Sequence, residues 1–300
     1  MPPLWQLCSR GQVEEVREAL ERGENVDRQN PGNLPVLIFV VGGQYSENHI
    51  AILKLLLEQQ WVEVNLAAFK GETALHKATD CGNVEVVKLL LADQRVDVNC
   101  KDFNQFTPLI MASGKSEDFA IFKLLLAEQK GDVNWVAFDP DFGETTALML
   151  ASWNSNVKAT KLLLDDQRVD VNWMNSKGLS VLHALVCKTK PKVNLKLLEL
   201  FLAHPRVDVN CKSGPSGLGH LIGQTVLHVA AFANNVEAAK LILAEPRFTS
   251  ANAQAELEGP AVIVAAIRCH WEVLKELVSH PSIDLDVKDK NGLSLDDLIR

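Results

Sequence analysis

The stretch GETALHKATDCGNVEVVKLLLADQRVDVN, Gly71 to Asn99, decides how the chain is read, because versions of it recur from one end to the other. Thr73 is placed to N-cap a short helix with Leu75 and Ala78 on one face, its hydroxyl accepting from an amide of the first turn. Cys81, Gly82 and Asn83 break that helix. A second helix follows, with Val86, Val87, Leu90 and Leu91 at helical spacing and Glu85 and Lys88 turned to solvent. Val96 to Asn99 reads as a brief extended run. Neither helix is long enough to stand alone, since isolated helices below about 12 to 15 residues are marginal in water. The pair has to bury its apolar face against a neighbour.

The neighbours are in the chain. Gly143 opens GETTALMLASWNSNVKATKLLLDDQRVDVN, with one inserted threonine, Gly178 opens GLSVLHALV, and Gly223 opens GQTVLHVAAFANNVEAAKLILAEPR. Gln105 opens QFTPLIMASG, followed by KLLLAEQKGDVN. Weaker copies begin at Gly32 and Pro260, the amino terminus supplies both helices of a first unit, and NGLSLDDLIR makes a final half unit. The period is roughly 33 residues, that of a helix-turn-helix repeat class.

On Gly71, Thr73, Leu75, His76, Ala78 and Gly82, the Val86 to Leu91 helix and the Asp97, Val98, Asn99 ending, the chain resembles the ankyrin-repeat family over nearly all of its length. That resemblance implies an all-α repeat fold: a solenoid of about eight helix-turn-helix units with projecting β-hairpin loops and a C-terminal half unit. The expected units are 1–29, 30–67, 68–101, 102–137, 138–174, 175–212, 213–255 and 256–288, with the half unit 289–300. A solenoid grows by adding neighbours, so 1–300 is read as a single domain. The exposed Glu14, Glu15, Arg17 and Glu18 suit a polar terminal cap. Insertions are expected at Gln44 to Asn48, between two helices, and at Thr189 to Val193.

Composition narrows the classes. Hydrophobic residues make up 47% and charged residues 23%, which argues against disorder, and a formal net charge of −8 disfavours generic binding to a phosphate backbone. Six cysteines occur without a CxxC pair, reading as reduced thiols rather than a disulfide framework or zinc site. No basic, long apolar leader and no membrane-length apolar run is present. The expectation is a monomer of the cytoplasm, and also of the nucleus, with no cofactor, no metal and no membrane association.

The resemblance also places the surface. In ankyrin repeats the hairpin tips and first helices face the concave side, where protein partners are engaged. The matching tip positions are Phe69, Lys70 and Glu72, then Phe103, Asn104 and Phe106, then Asp141, Phe142 and Glu144. Matching first-helix positions include Asp80, Lys115, Trp153 and Asn154, with Lys188, Phe232 and Arg268 extending the set. The aromatic density reads in two ways: anchors for a partner, or stacking between hairpins. For Trp135 and Trp173, at hairpin stems together with Phe138, stacking is favoured.

Other chemistry is weakly represented. Gly214 and Gly219 have GxxxxG spacing, but His220 and Leu221 stand where a phosphate loop needs Lys and Ser or Thr, and Gly217, Gly219 and Gly223 miss the dinucleotide spacing. Lys212 to Gln224 is read as a glycine-rich turn. His76, His183 and His228 share one position of the unit and read as local hydrogen-bonding residues, not a catalytic row. Asn99, Asn134, Asn172 and Asn210 close four units; their default role is to bond nearby backbone, and they also resemble asparagines that an asparaginyl hydroxylase modifies in ankyrin repeats. The leading expectation is a non-enzymatic module that holds a partner protein; the alternative is the targeting or regulatory segment of a larger multidomain protein.

Overall fold

Short helices in pairs make up almost all of the regular structure in the computed structural model, which describes residues 2–25, 34–43, 46–140, 143–187, 195–214, 222–256 and 259–299. They cluster into two units, Met1–Leu150 and Ala151–Arg300. The first holds the pairs α1 (Leu4–Ser9) and α2 (Val13–Glu21), α3 (Val36–Gly42) and α4 (Glu47–Glu58), α5 (Ala74–Asp80) and α6 (Val84–Ala92), and α7 (Pro108–Ser113) and α8 (Phe119–Ala127), then the antiparallel strands β1 (Ala137–Asp139) and β2 (Gly143–Thr145). The division falls inside α9 (Ala147–Trp153). The second unit continues with α10 (Val157–Asp165), the pairs α11 (Val181–Cys187) and α12 (Leu195–Ala203), α13 (Val226–Phe232) and α14 (Val236–Ala244), α15 (Ala261–Ile267) and α16 (Trp271–Ser279), and the single α17 (Leu295–Ile299).

Within each unit the pairs pack in sequence order. In the first, α1 packs on α3, α3 on α5 and α5 on α7, while α2 packs on α4 and α6 on α8. In the second, α11 packs on α13, α13 on α15 and α15 on α17, while α10 packs on α12, α12 on α14 and α14 on α16. First helices meet first helices and second helices meet second helices. The first helices sit deepest: in α13, Val226 to Ala231 are all buried, with Ala230 and Ala231 small enough for neighbouring backbones to approach. Second helices bury one side only, as with Val86, Val87 and Leu90 of α6 against solvent-facing Glu85 and Lys88.

The local signals act largely as expected. Thr73 N-caps α5 through a capping box, its own N–H donating to Nδ1 of His76 at 3.2 Å. Gly82, at φ +72°, turns the chain, and Asn83 caps α6 by accepting from the Val86 N–H at 3.0 Å. Two expectations change. The run Val96 to Asn99 is not extended throughout: the chain turns at Val98 and Asn99, where the Asp97 carboxylate accepts from the N–H of Asn99 at 2.9 Å. The insertion near Gln44 does not only lengthen a turn: Glu47 and Asn48 are helical, so α4 has twelve residues where α6 has nine. Residues 189–193 and 215–221, including Gly217, Gly219, His220 and Leu221, lie outside the described residues.

Three polar devices, each recurring at several joints, tie one repeat to the next. The first is histidine. His76 Nδ1 accepts from the Thr73 N–H, so the proton sits on Nε2, which donates to the Phe106 carbonyl at 2.9 Å, thirty residues on. His183 donates to Gln224 O and His228 to Gly259 O, each at 3.0 Å. The expected local bond is therefore half of the role; the other half reaches the next repeat.

The second is asparagine. Asn99 Nδ2 donates to Lys130 O at 2.8 Å while its Oδ1 accepts from the Asp132 N–H at 2.7 Å, so one side-chain amide pairs with the following turn as a strand residue would. Asn172 makes the same pair with Arg206 O and Asp208 N–H, and Asn210 with Arg247 O and Thr249 N–H. Asn65 and Asn252, which the sequence reading passed over, do likewise. The bonded backbone is in the next repeat, not nearby.

The third is arginine, also passed over. Arg95 donates to Leu57 O at 2.7 Å and Gln59 O at 2.9 Å, at the C-terminal end of α4, and is held by Asp93 at 2.6 Å. These carbonyls have no partner inside their helix. Arg206 serves Leu164 O and Asp166 O, and Arg247 serves Leu202 O and His204 O while held by Glu245. The Asp93 carboxyl is held below the usual range by that guanidinium.

Two measurements follow. Burial of His228 lowers its pKa from 6.5 to about 4, and His76 and His183 are lowered for the same reason. The unfolded chain then binds protons that the folded chain refuses, so stability is full above pH 6.5 and falls as pH drops towards about 4, by at most about 1.4 kcal/mol per pH unit for each histidine. Urea unfolding of His228→Gln across that window is expected to give lower stability at neutral pH and a shallower pH slope than the natural chain. At Gly178, φ is +70° and an added Cβ would lie 2.3 Å from the Gly214 nitrogen, whereas at Gly143, φ +79°, nothing lies within 4 Å. Gly178→Ala is expected to cost about 3 kcal/mol or more and Gly143→Ala about 1 kcal/mol, read from their urea midpoints.

Candidate functional site

Between helix pairs the chain projects as hairpins, each closed at its base by one backbone bond: Ala68 N–H to Glu72 O at 2.8 Å, and Asp102 N–H to Phe106 O at 3.0 Å. In the next repeat the extra threonine lengthens the hairpin into β1 and β2, with Phe138 opposite Glu144. The tips are tied to one another as well. Phe103 N–H donates to Lys70 O at 3.0 Å and Phe138 N–H donates to Asn104 O at 2.9 Å.

This register puts Phe69, Phe103 and Phe138 at one position of three successive hairpins. All three are in solvent, at 81%, 74% and 57% exposure. Gly71 permits the tip turn at φ +79°, and a Cβ there would lie 2.8 Å from Cδ1 of Phe103, so that ring leans on the preceding tip's backbone with most of its surface free. Phe138 matches Phe103 in register but lies in β1, paired with Glu144 below the turn, so it stays a stem residue of the longer hairpin. Its spacing of 35 residues from Phe103, against 34 between Phe69 and Phe103, is the signal in the sequence.

The other expected residues distribute as follows. Lys70 and Asn104 are exposed beside the ring row, and Glu72 and Glu144 are half-buried. Phe106 is half-buried, with its carbonyl taken by His76. Asp141, Phe142 and Lys188 lie outside the described residues. Asp80 and Lys115 are brought together: Lys115 Nζ lies 2.8 Å from the Asp80 carboxylate and donates to its carbonyl at 2.7 Å, holding the Asp80 carboxyl below its ordinary range. Those two charges are spent largely on each other. Trp135 is half-buried, its Nε1–H on Gln105 O at 2.9 Å and Lys101 Nζ 3.1 Å from its ring centroid, which fits stacking between hairpins.

In the second unit, Trp173 and Trp153 are half-buried and Asn154 is exposed. Phe232 and Arg268 come from successive repeats and meet, the guanidinium 4.0 Å from the ring centroid.

Sulfur and imidazole approach one another at two places. Cys100 Sγ is 3.5 Å from His76 Nδ1, and Cys211 Sγ is 4.0 Å from His183 Nδ1. Neither is a nucleophile and base. Burial pushes the Cys100 thiol up to about 11 and raises that of Cys211, and each Nδ1 lone pair already accepts a backbone N–H. Among the described residues, no group of three or more His, Cys, Asp or Glu could hold a metal ion, and no helix is long and apolar enough to cross a membrane.

No curated protein matches the chain. A family model described as ankyrin repeats (3 copies) matches residues 37–137, 94–175, 148–255 and 182–291, overlapping placements that run together from 37 to 291. Such shifted matches are what a tandem array produces when a three-repeat window slides along it, and with helix pairs stacking in order within each unit, the chain belongs to the ankyrin-repeat family.

Proposed function

We propose that the chain is a protein-binding scaffold or adaptor that carries out no reaction itself, and that it takes its partner on the hairpin tips of Met1–Leu150. The eight helix pairs and α17 are read as eight repeats and a half unit. The observation that carries the proposal is the row Phe69, Phe103 and Phe138: three aromatic rings at equivalent positions, each mostly in solvent, on backbones bonded to one another. Burying one such side chain is worth about 1.5–3 kcal/mol. Tips already joined lose little freedom on binding, which preserves that gain. Lys70 and Asn104 supply polar contacts at the margin, and Phe232 with Arg268 offers a separate aromatic and cationic position in the second unit.

Replacing Phe69, Phe103 and Phe138 together with alanine is expected to remove the partner from affinity capture in a native lysate, with the thermal melt unchanged because the rings are exposed. Equal recovery of the same partner by that variant would place the binding face elsewhere. The half-buried Phe106 and Trp153 serve as contrast: their alanine variants are expected to lower the melting temperature.

Regulation by hydroxylation at Asn99, Asn134, Asn172 and Asn210 is proposed as a secondary feature. The amides of Asn99, Asn172 and Asn210 are bonded to the next repeat, so an enzyme must first draw the turn out of the stack. Peptide mass spectrometry after treatment with an asparaginyl hydroxylase is expected to find added oxygen sooner in Gly178→Ala than in the natural chain; none at any of the four asparagines would end the idea.

A further inference from the structure

The row of rings has a fixed step. In the first hairpin, the limb rising through Ala68 and the limb falling through Glu72 are joined by the bond from Ala68 N–H to Glu72 O at 2.8 Å. The falling limb lies in turn against the rising limb of the second hairpin. A Cβ on Gly71 would stand 3.0 Å from the Phe103 nitrogen and 3.2 Å from the Asp102 carbonyl carbon, and Phe103 N–H donates to Lys70 O at 3.0 Å. Phe69 and Phe103 are therefore two chain widths apart. Chains joined side by side by backbone hydrogen bonds lie about 4.8 Å apart, so the step is about 10 Å. The bond from Phe138 N–H to Asn104 O repeats the same link one hairpin on, and the step with it.

Three apolar groups about 10 Å apart select the secondary structure that can meet all of them. A strand shows one face at every second residue, so its side chains on that face recur at about 7 Å and about 13 Å and miss the step. A helix returns to nearly the same face after seven residues, about 10.5 Å further on. Two such returns cover about 21 Å, against about 20 Å for the row. The face drifts by about 20° at each return, about 40° in all, which an apolar stripe about 100° wide accommodates.

We infer that the row takes an amphipathic helix of the partner protein, laid along the line of Phe69, Phe103 and Phe138 with an apolar side chain at every seventh residue, one to each ring. This rests on the reading of the three rings as the binding face. Charge sets the direction. Lys70 stands exposed beside Phe69, uncharged Asn104 beside Phe103, and half-buried Asp139 beside Phe138. A helix carries about half a negative charge at its C-terminus and half a positive charge at its N-terminus. Its C-terminal turn therefore lies at Lys70 and its N-terminal turn at Asp139, so the bound helix runs against the order of the repeats.

The test uses the full chain and fluorescein-labelled synthetic peptides three heptads long, built from alanine, glutamine, glutamate and lysine. One has leucine at every seventh residue, glutamate in its last turn and lysine in its first. A second has the same composition with leucine at every second residue. A third keeps the heptad leucines and exchanges the charged ends. Fluorescence anisotropy is expected to show saturable binding of the first, at least about tenfold weaker binding of the second, and binding of the third weaker by about two- to fivefold. Circular dichroism is expected to show the first peptide gaining helix on binding. Phe103→Ala, in a side chain 74% exposed, is expected to weaken the first peptide about tenfold with the thermal melt unchanged. No binding of the first peptide, equal binding of the second, a preference for the third, or indifference to Phe103→Ala would each overturn the inference. Should a lysate partner still need all three rings after such a result, the rings remain the binding face and only the helix is lost; should capture survive the triple alanine variant, the face itself is wrong.

Discussion

The longest helix among the described residues has twelve residues and most have seven or nine, lengths at which a helix in water barely holds together. Every other feature is a response to that constraint. A seven-residue helix such as α13 survives because six of its side chains are buried between α11 and α15. Stability is therefore a property of neighbouring pairs, and anything that improves the fit between one repeat and the next is felt in both.

Apolar burial alone does not set that fit, because it has little directionality. Register comes from polar groups that span the joint. A histidine bonded at both nitrogens permits one tautomer and one distance between repeats. An asparagine amide pairing with both an N–H and a carbonyl admits one alignment of successive turns. The arginines solve a different problem: the second helices α4, α10 and α12 end without a glycine cap, and Arg95, Arg206 and Arg247 take the carbonyls left over. Arg95 and Arg247 are braced by Asp93 and Glu245, two residues back, so each of those charges enters the joint with its partner.

How much of this could be read beforehand follows from distance along the chain. Helix pairs, their caps and the turning glycines are decided within a few residues, and Thr73, Asn83 and Gly82 act where the pattern places them. Phe69 and Phe103 are legible as tip residues for the same reason. Phe138 is harder, because one extra threonine shifts the hairpin and a stem position becomes part of β1. The Asp80–Lys115 pair, the arginine clamps and the far ends of the histidine and asparagine bonds join residues some thirty to forty-five positions apart. Their signal is present only as recurrence: the DQR of residues 93–95 returns at 166–168, and the arginine returns at 206 and 247. Recurrence says that a residue matters to the joint without saying which atom it meets.

That distinction separates holding from binding. Residues that fasten one repeat to the next are needed at each joint, so they recur with the period. A residue that touches something outside has no reason to recur beyond the extent of that contact. The aromatic tip position obeys the second logic: Phe in three successive hairpins, then Ser176, Gly214, Glu256 and Lys290 at the corresponding points of the later ones. That departure does little for the stack, since rings so largely in solvent contribute little burial. Selection for the fold alone would have left polar residues at those places. The breaks in the period, set against joints that keep it, are the part of this chain that points outward.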